Sequence, residues 1–140
     1  MQALWRLAYI SQSTQPDADL QDIVTSSRQN NKRDGITGML LAERSRFLQI
    51  LEGETRKIAA CLLRISGDPR HSGLRILAST PTSHLHFVGW SLHLIDLDAP
   101  TGRIPGIGIA FEALETASGP DALDRLCLDL AGQLTARPED

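Results

Sequence analysis

Gln49 lies in the run Arg46-Phe47-Leu48-Gln49-Ile50-Leu51, where alternation along a strand turns Phe47, Gln49 and Leu51 to one face. An uncharged amide between two large apolar neighbours needs partners, because burying it unpaired costs roughly 2–7 kcal/mol. Tyr9, the one tyrosine of the chain, lies near the end of the apolar run from Leu4 to Ile10 and shares a strand face with Trp5 and Leu7. Ser27 and Asn31 fall on the stripe that Leu20, Ile23 and Val24 begin at helical spacing. If helices cover that sheet face, Tyr9, Gln49, Ser27 and Asn31 converge on a partly apolar pocket. Four neutral donors and acceptors suit a heteroaromatic ligand with amide-like edges, since they pair with it without desolvating an ion. Taken singly, each is better explained as a polar side chain satisfied inside the core, where such groups fix packing; their convergence is what points to a ligand.

Other chemistry is absent from the pattern. There is no Walker sequence, nucleophile elbow, HExxH motif or cysteine pair at zinc spacing, so no catalytic residue is assigned. His71, His84, His86 and His93 lack metal-ligand spacing on any predicted helix, and no metal is expected. Cys61 and Cys127 sit far apart in apolar runs, as reduced core thiols do.

The elements that must position the polar set follow from periodicity. Leu4 to Ile10 predicts β1, closed by the polar stretch Ser11 to Gln15 and by Pro16. A helix follows, with Asp17, Asp19 and Asp22 at its positive end and Gly35 at its close. Ile36 to Ala42 and Arg46 to Leu51 predict an antiparallel hairpin turning at Glu43-Arg44-Ser45, with Glu52-Gly53-Glu54 as a strand break. Ile58, Cys61, Leu62 and Ile65 mark a second helix ended by Gly67 and Pro69; Leu74 to Ala78 and Phe87 to Leu97 are the last strands. This βαββαββ order belongs to the ferredoxin-like α+β class, with both helices on one sheet face. Pro100 to Gly108 and Gly119-Pro120 set off a C-terminal segment whose Leu123, Leu126, Cys127, Leu130 and Leu134 share a helical face; it is expected to cover the other side of the sheet. The division is thus residues 1–98 as the ligand-binding domain and 99–140 as a linker and helical extension.

A chain of 140 residues holds one core of this kind. Net charge is −3, with basic residues scattered among acidic ones, which argues against a nucleic-acid partner. Neither a signal pattern nor an apolar stretch long enough to span a bilayer is present, so the expectation is cytoplasmic residence without membrane association.

At the residues singled out, the chain resembles the BLUF family of short blue-light sensors using FAD. The resemblance runs from about Leu4 to Ile95 and is carried by Leu7-Ala8-Tyr9-Ile10-Ser11, Asn30-Asn31-Lys32-Arg33-Asp34-Gly35-Ile36-Thr37-Gly38, Phe47-Leu48-Gln49-Ile50-Leu51-Glu52-Gly53, Asp68-Pro69-Arg70-His71 and Phe87-Val88-Gly89-Trp90-Ser91. It implies a noncovalent FAD whose ring lies between the two helices, gripped by Ile23 and Ile65 and bonded at its polar edge by Asn31 with Asn30 beside it. Arg64, Asp68, Arg70 and His71 then fall near the ring edge or the ribityl and phosphate end. Tyr9 and Gln49 match the family's photoactive pair, and Trp90 matches its signal-transmitting Trp. Leu92 stands where a Met is usual, a departure that bears on transmission and not on flavin binding.

The expected function is therefore light sensing without enzymatic turnover, with output to an unidentified downstream effector protein and with a homo-oligomer left open. Two alternatives belong to other classes: a ferredoxin-like flavoenzyme, and a flavin-free ligand-binding or interaction module. Colour separates the second from the rest, and a reversible red shift without substrate separates the first.

Overall fold

The computed structural model describes residues 3–14 and 20–97 and, towards the C-terminus, residues 121, 125, 127 and 128. β1 (Leu4–Ser13) continues three residues beyond its apolar run, because Gln12 still pairs with Arg46 on one side and Ser13 with His71 on the other. α1 (Leu20–Asp34) carries Asp22 in its first turn and Lys32 and Arg33 in its last, matching the macrodipole at both ends. Asp17 and Asp19 lie outside the described residues. The helix stops in a Schellman arrangement: Gly35 takes φ +69°, its amide donates to Lys32 O, and the Ile36 amide donates to Asn31 O. That cap fixes the helical turn from which Asn31 projects.

β2 (Thr37–Glu43) and β3 (Arg46–Glu54) form the expected hairpin. Its two-residue turn places Arg44 and Ser45 at φ 50° and 66°, in the left-handed backbone region, as in hairpin turns whose twist matches the right-handed twist of the flanking strands. The break expected at Glu52-Gly53-Glu54 does not occur. β3 is flanked by β1 and β2, and Glu54, Gly53 and Glu52 continue the ladder opposite Leu4, Trp5 and Arg6. α2 (Thr55–Ser66) starts at once and buries Ile58 and Cys61.

β4 (His71–Thr82) is much longer than Leu74 to Ala78. It is an edge strand, so Pro81 can sit in it without removing a central ladder bond. The opposite correction applies to β5, which runs His93–Asp96 and not Phe87 to Leu97. Residues 87–92 form a turn, with the Trp90 amide on Phe87 O at 3.0 Å and Gly89 at φ +90°. An apolar run reads as a strand by periodicity alone, but this one satisfies its backbone by other means.

The sheet order is β4-β1-β3-β2-β5, antiparallel except for the β2–β5 pair. This is the ferredoxin-like α+β arrangement with one added parallel edge. Under the helices lie Leu7, Tyr9, Leu51, Ile58 and Cys61 in one cluster and Ile23, Leu40, Phe47 and Leu92 in another. The other face carries Ala8, Met39, Leu41, Leu48, Ile50, Phe87 and Trp90, and Cys127 packs with them. Asp121, Arg125, Cys127 and Leu128 are helical. Leu123, Leu126, Leu130, Leu134 and the linker lie outside the described residues.

Candidate functional site

Strand alternation turns Tyr9 and Gln49 to the helix-covered face, and the β1–β3 register sets them directly opposite each other. The Tyr9 hydroxyl donates to Gln49 Oε1. Tyr9 is fully buried and Gln49 is 2% exposed. Burial is the main cause of a Tyr9 pKa raised well above the ordinary phenol value, with Cys61 and Asp68 adding to it. The phenol is therefore a neutral, proton-bearing group over the whole physiological range.

Beside this pair a solvent-open cleft is lined by Ser26, Ser27, Asn30 and Asn31 of α1, Gln49 of β3, Cys61, Arg64 and Ile65 of α2, and Asp68 and Arg70 beyond it. Of the residues picked from the sequence, Ser27, Asn30, Asn31, Gln49, Arg64, Ile65, Asp68 and Arg70 thus come together. Tyr9 stands behind Gln49 and reaches the cleft through it. Ile23 is buried in the α1 cluster with Phe47 and Leu92 and is not itself among the lining residues. The backbone of His71 opens β4; its side chain lies outside the described residues.

The cleft has an uncharged floor and a charged rim. Asn31, 1% exposed, donates through Nδ2 to Ser91 O at 2.6 Å. Its Oδ1 and the Gln49 Nε2 make no hydrogen bond to the described residues, so an acceptor and a donor remain for a ligand. The Cys61 thiol, read from the sequence only as core, lines the same floor. Burial raises its pKa; Arg64 opposes that shift and Asp34 adds to it. At the rim Arg70 chelates Asp68 at 2.7 Å and reaches Ser26 Oγ at 3.1 Å, while Arg64 meets Asp34 at 3.2 Å. Asp34 is held below the usual carboxylate range chiefly by its hydrogen bond from Arg33; its partial burial opposes this, and the charges of Arg33, Arg64 and Lys57 add to it. Neutral amide groups inside and guanidinium groups at the mouth fit a flavin, whose ring has amide edges and whose tail is polar.

Trp90 and Leu92 separate to opposite sides of the sheet. Leu92 packs with Ile23, Leu40 and Phe47 under α1, whereas Trp90 joins the cluster containing Cys127, its ring edge-on to His93 at 4.3 Å. What the sequence reading missed is also on that far side: Arg6 and Glu52 form a fully buried ion pair. Two opposite charges set into strongly apolar strands were the available signal. Among the described residues no group of His, Cys, Asp and Glu could hold a metal ion, and no helix is long and apolar enough to cross a membrane.

The family described as BLUF, sensors of blue light using FAD, matches residues 4–93. The photoactivated adenylate cyclase subunit alpha of Euglena gracilis is 32% identical over 96 residues, which are 64% of this chain and 9% of that protein; the chain therefore spans a small part of this relative. Among solved structures, the dark state of BlrB, a BLUF protein, superposes with a TM-score of 0.77 at 29% identity, over 96% of this chain and 99% of that one. Klebsiella pneumoniae BlrP1 with FMN and cyclic diGMP gives 0.68 at 28% identity, over 93% of this chain and 35% of that one. A match over residues 4–93, a span that contains the residues lining the cleft, places this chain in the BLUF family of blue-light sensors.

Proposed function

We propose that this chain is a noncovalent FAD photoreceptor in which Tyr9 and Gln49 form the light-driven switch, and that it signals to another protein without turning over a substrate. The observation that carries the proposal is the buried Tyr9–Gln49 hydrogen bond, with the far end of the Gln49 carboxamide left for a ligand. Bound flavin excited by blue light supplies a strong oxidant. Tyr9 is the electron donor, and once oxidised its hydroxyl becomes acidic and passes its proton to Gln49 Oε1. When electron and proton return to Tyr9, Gln49 is left in a changed orientation or tautomer, because its amide can either donate or accept. Asn31 Oδ1 and Asn30 serve the polar ring edge, Ile65 and Ile23 the apolar side, and Arg64, Arg70, Asp68 and His71 the tail. The two guanidinium groups at the cleft mouth suit a phosphate-bearing flavin, and FAD is the form named for the family whose model the chain matches. Residues 1–98 act as the sensor and 99–140 as linker and extension, in a cytoplasmic protein whose oligomeric state, a homo-oligomer included, is set with its partner. Trp90 and Leu92 belong to transmission.

The test is a visible spectrum of the purified, flavin-loaded protein before and after a blue flash. A reversible red shift without any substrate is expected, and a spectrum unchanged by light rejects the proposal. Gln49→Leu should keep the yellow colour, at a cost to flavin affinity of about 1 kcal/mol, and lose the shift. A full shift in that variant rejects the switch while leaving flavin binding intact.

A further inference from the structure

The ion pair on the far side of the sheet does more than join two strands. Arg6 Nε lies 2.8 Å from Glu52 Oε2, and the two residues are 2% and 0% exposed. Arg6 Nη2 also donates to Thr82 Oγ1 at 3.2 Å and to His84 O at 3.3 Å. Glu52 Oε1 accepts the backbone N–H groups of His86 at 2.8 Å and Phe87 at 3.1 Å. A buried ion pair is a poor source of net stability, because desolvation offsets most of the attraction. Its specific effect is to pin residues 82–87 to the two central strands.

A few residues on, the same segment is held by the helix that lines the cleft. Asn31 Nδ2 donates to Ser91 O at 2.6 Å and Arg28 Nε to Leu92 O at 3.1 Å. Between the two attachments lie Gly89, at φ +90°, and Trp90, whose side chain packs on the face shared with Cys127. One attachment involves no cleft residue; the other involves Asn31, which lines the cleft. On β1 and β3 the pairs Arg6–Glu52 and Tyr9–Gln49 lie three positions apart in register, so strand alternation sends them to opposite faces.

We infer that Arg6 and Glu52 are positioning residues for signal output. They hold residues 82–87 fixed, so that a change reaching Ser91 through Asn31 turns the chain about Gly89 and moves Trp90 on the opposite face. Without the fixed end, the same displacement would spread along the loop. This inference rests on the photoreceptor reading above.

The test uses flavin-loaded full chain labelled with fluorotryptophan, its two fluorine NMR resonances assigned with Trp5→Phe and followed in the dark and under blue light. Light should displace the Trp90 resonance and leave that of Trp5 in place. Glu52→Gln should keep the flavin red shift and reduce the Trp90 displacement about five-fold or more. Gly89→Ala, which forces a side chain into a backbone region suited to glycine, should do the same; if Glu52→Gln does not fold, Arg6→Lys, which keeps a cation beside Glu52 but loses the Nη2 bonds to Thr82 and His84 O, decides the matter by the same reduced displacement. A wild-type flavin shift with an unmoved Trp90 resonance overturns this inference only, as does full displacement in the variants. Absence of a flavin shift in the wild type overturns the photoreceptor reading and this inference with it.

Discussion

The polar residues of the cleft divide by how many partners they already have. Tyr9 is saturated by burial and by Gln49, and this sets a sign on its pH behaviour. Its folded pKa lies above the unfolded value, so the neutral phenol contributes stability that is fully present below about pH 10 and is lost as pH rises through the folded value. Tyr9→Phe should therefore flatten the loss of stability above about pH 10 in denaturant titrations run across that range, keep the yellow colour, and abolish the normal red shift. An unchanged alkaline slope would mean that Tyr9 is not the buried group assumed. Asn31 has one partner in the protein, because Nδ2 is committed to Ser91 O while Oδ1 is not. Asn31→Ala should weaken flavin binding by roughly 1–3 kcal/mol and also lower the stability of the flavin-free protein, since Ser91 O loses its donor. Equilibrium dialysis and thermal melting separate the two effects, and a loss of flavin affinity alone would show that the Ser91 contact carries no weight.

At the scale of elements, the sequence was most legible where one period dominated. Tyr9 and Gln49 could be placed opposite each other because both sit in strands with strict alternation, and the helix stripe carried Ser27 and Asn31 to the same face. The errors came where apolar content and geometry part company. Residues 87–92 are apolar enough for a strand, but their carbonyls are taken by Gly38 N, Asn31 and Arg28, and nothing in local composition announces such long-range donors. Gly53 looks like a breaker, yet β1 holds it in the ladder opposite Trp5. The Arg6–Glu52 pair was hidden because hydrophobic patterning assigns charge to solvent by default. The β2–β3 turn is also unusual in placing Arg44 and Ser45, neither of them glycine, at positive φ, where an L side chain costs about 1–2 kcal/mol. Ser45→Gly should relieve part of that cost and raise unfolding stability by a few tenths to about 1 kcal/mol, after the greater chain entropy of glycine is subtracted. A chemical denaturation midpoint that falls instead would show that the Ser45 side chain is needed.

Across the whole molecule the sheet works as a partition. One face, covered by α1 and α2, holds the cleft, Tyr9, Gln49 and Leu92; the other holds Arg6, Glu52, Trp90 and the contact with the C-terminal segment at Cys127. β1 and β3 pass through both environments, alternating between them residue by residue, so the two faces are mechanically joined while remaining chemically distinct. Cys127 is wholly buried against Phe87, Trp90 and Ile95, which makes it a point where the extension can be released without touching the cleft. Cys127→Asp places a carboxylate among apolar side chains, and burying a charge there without a counterion is costly enough that the segment should move away or the acid remain protonated. Stability should fall by more than about 2 kcal/mol at neutral pH and recover partly as the acid is protonated at lower pH. The dark flavin spectrum should not change, because Cys127 shares no cluster with the cleft residues. The light-induced change at Trp90 should be altered, since its packing partner has been displaced. A variant that loses flavin colour while still folded would show that the two faces are not separable in this way, and the extension would then have to be counted as part of the binding site.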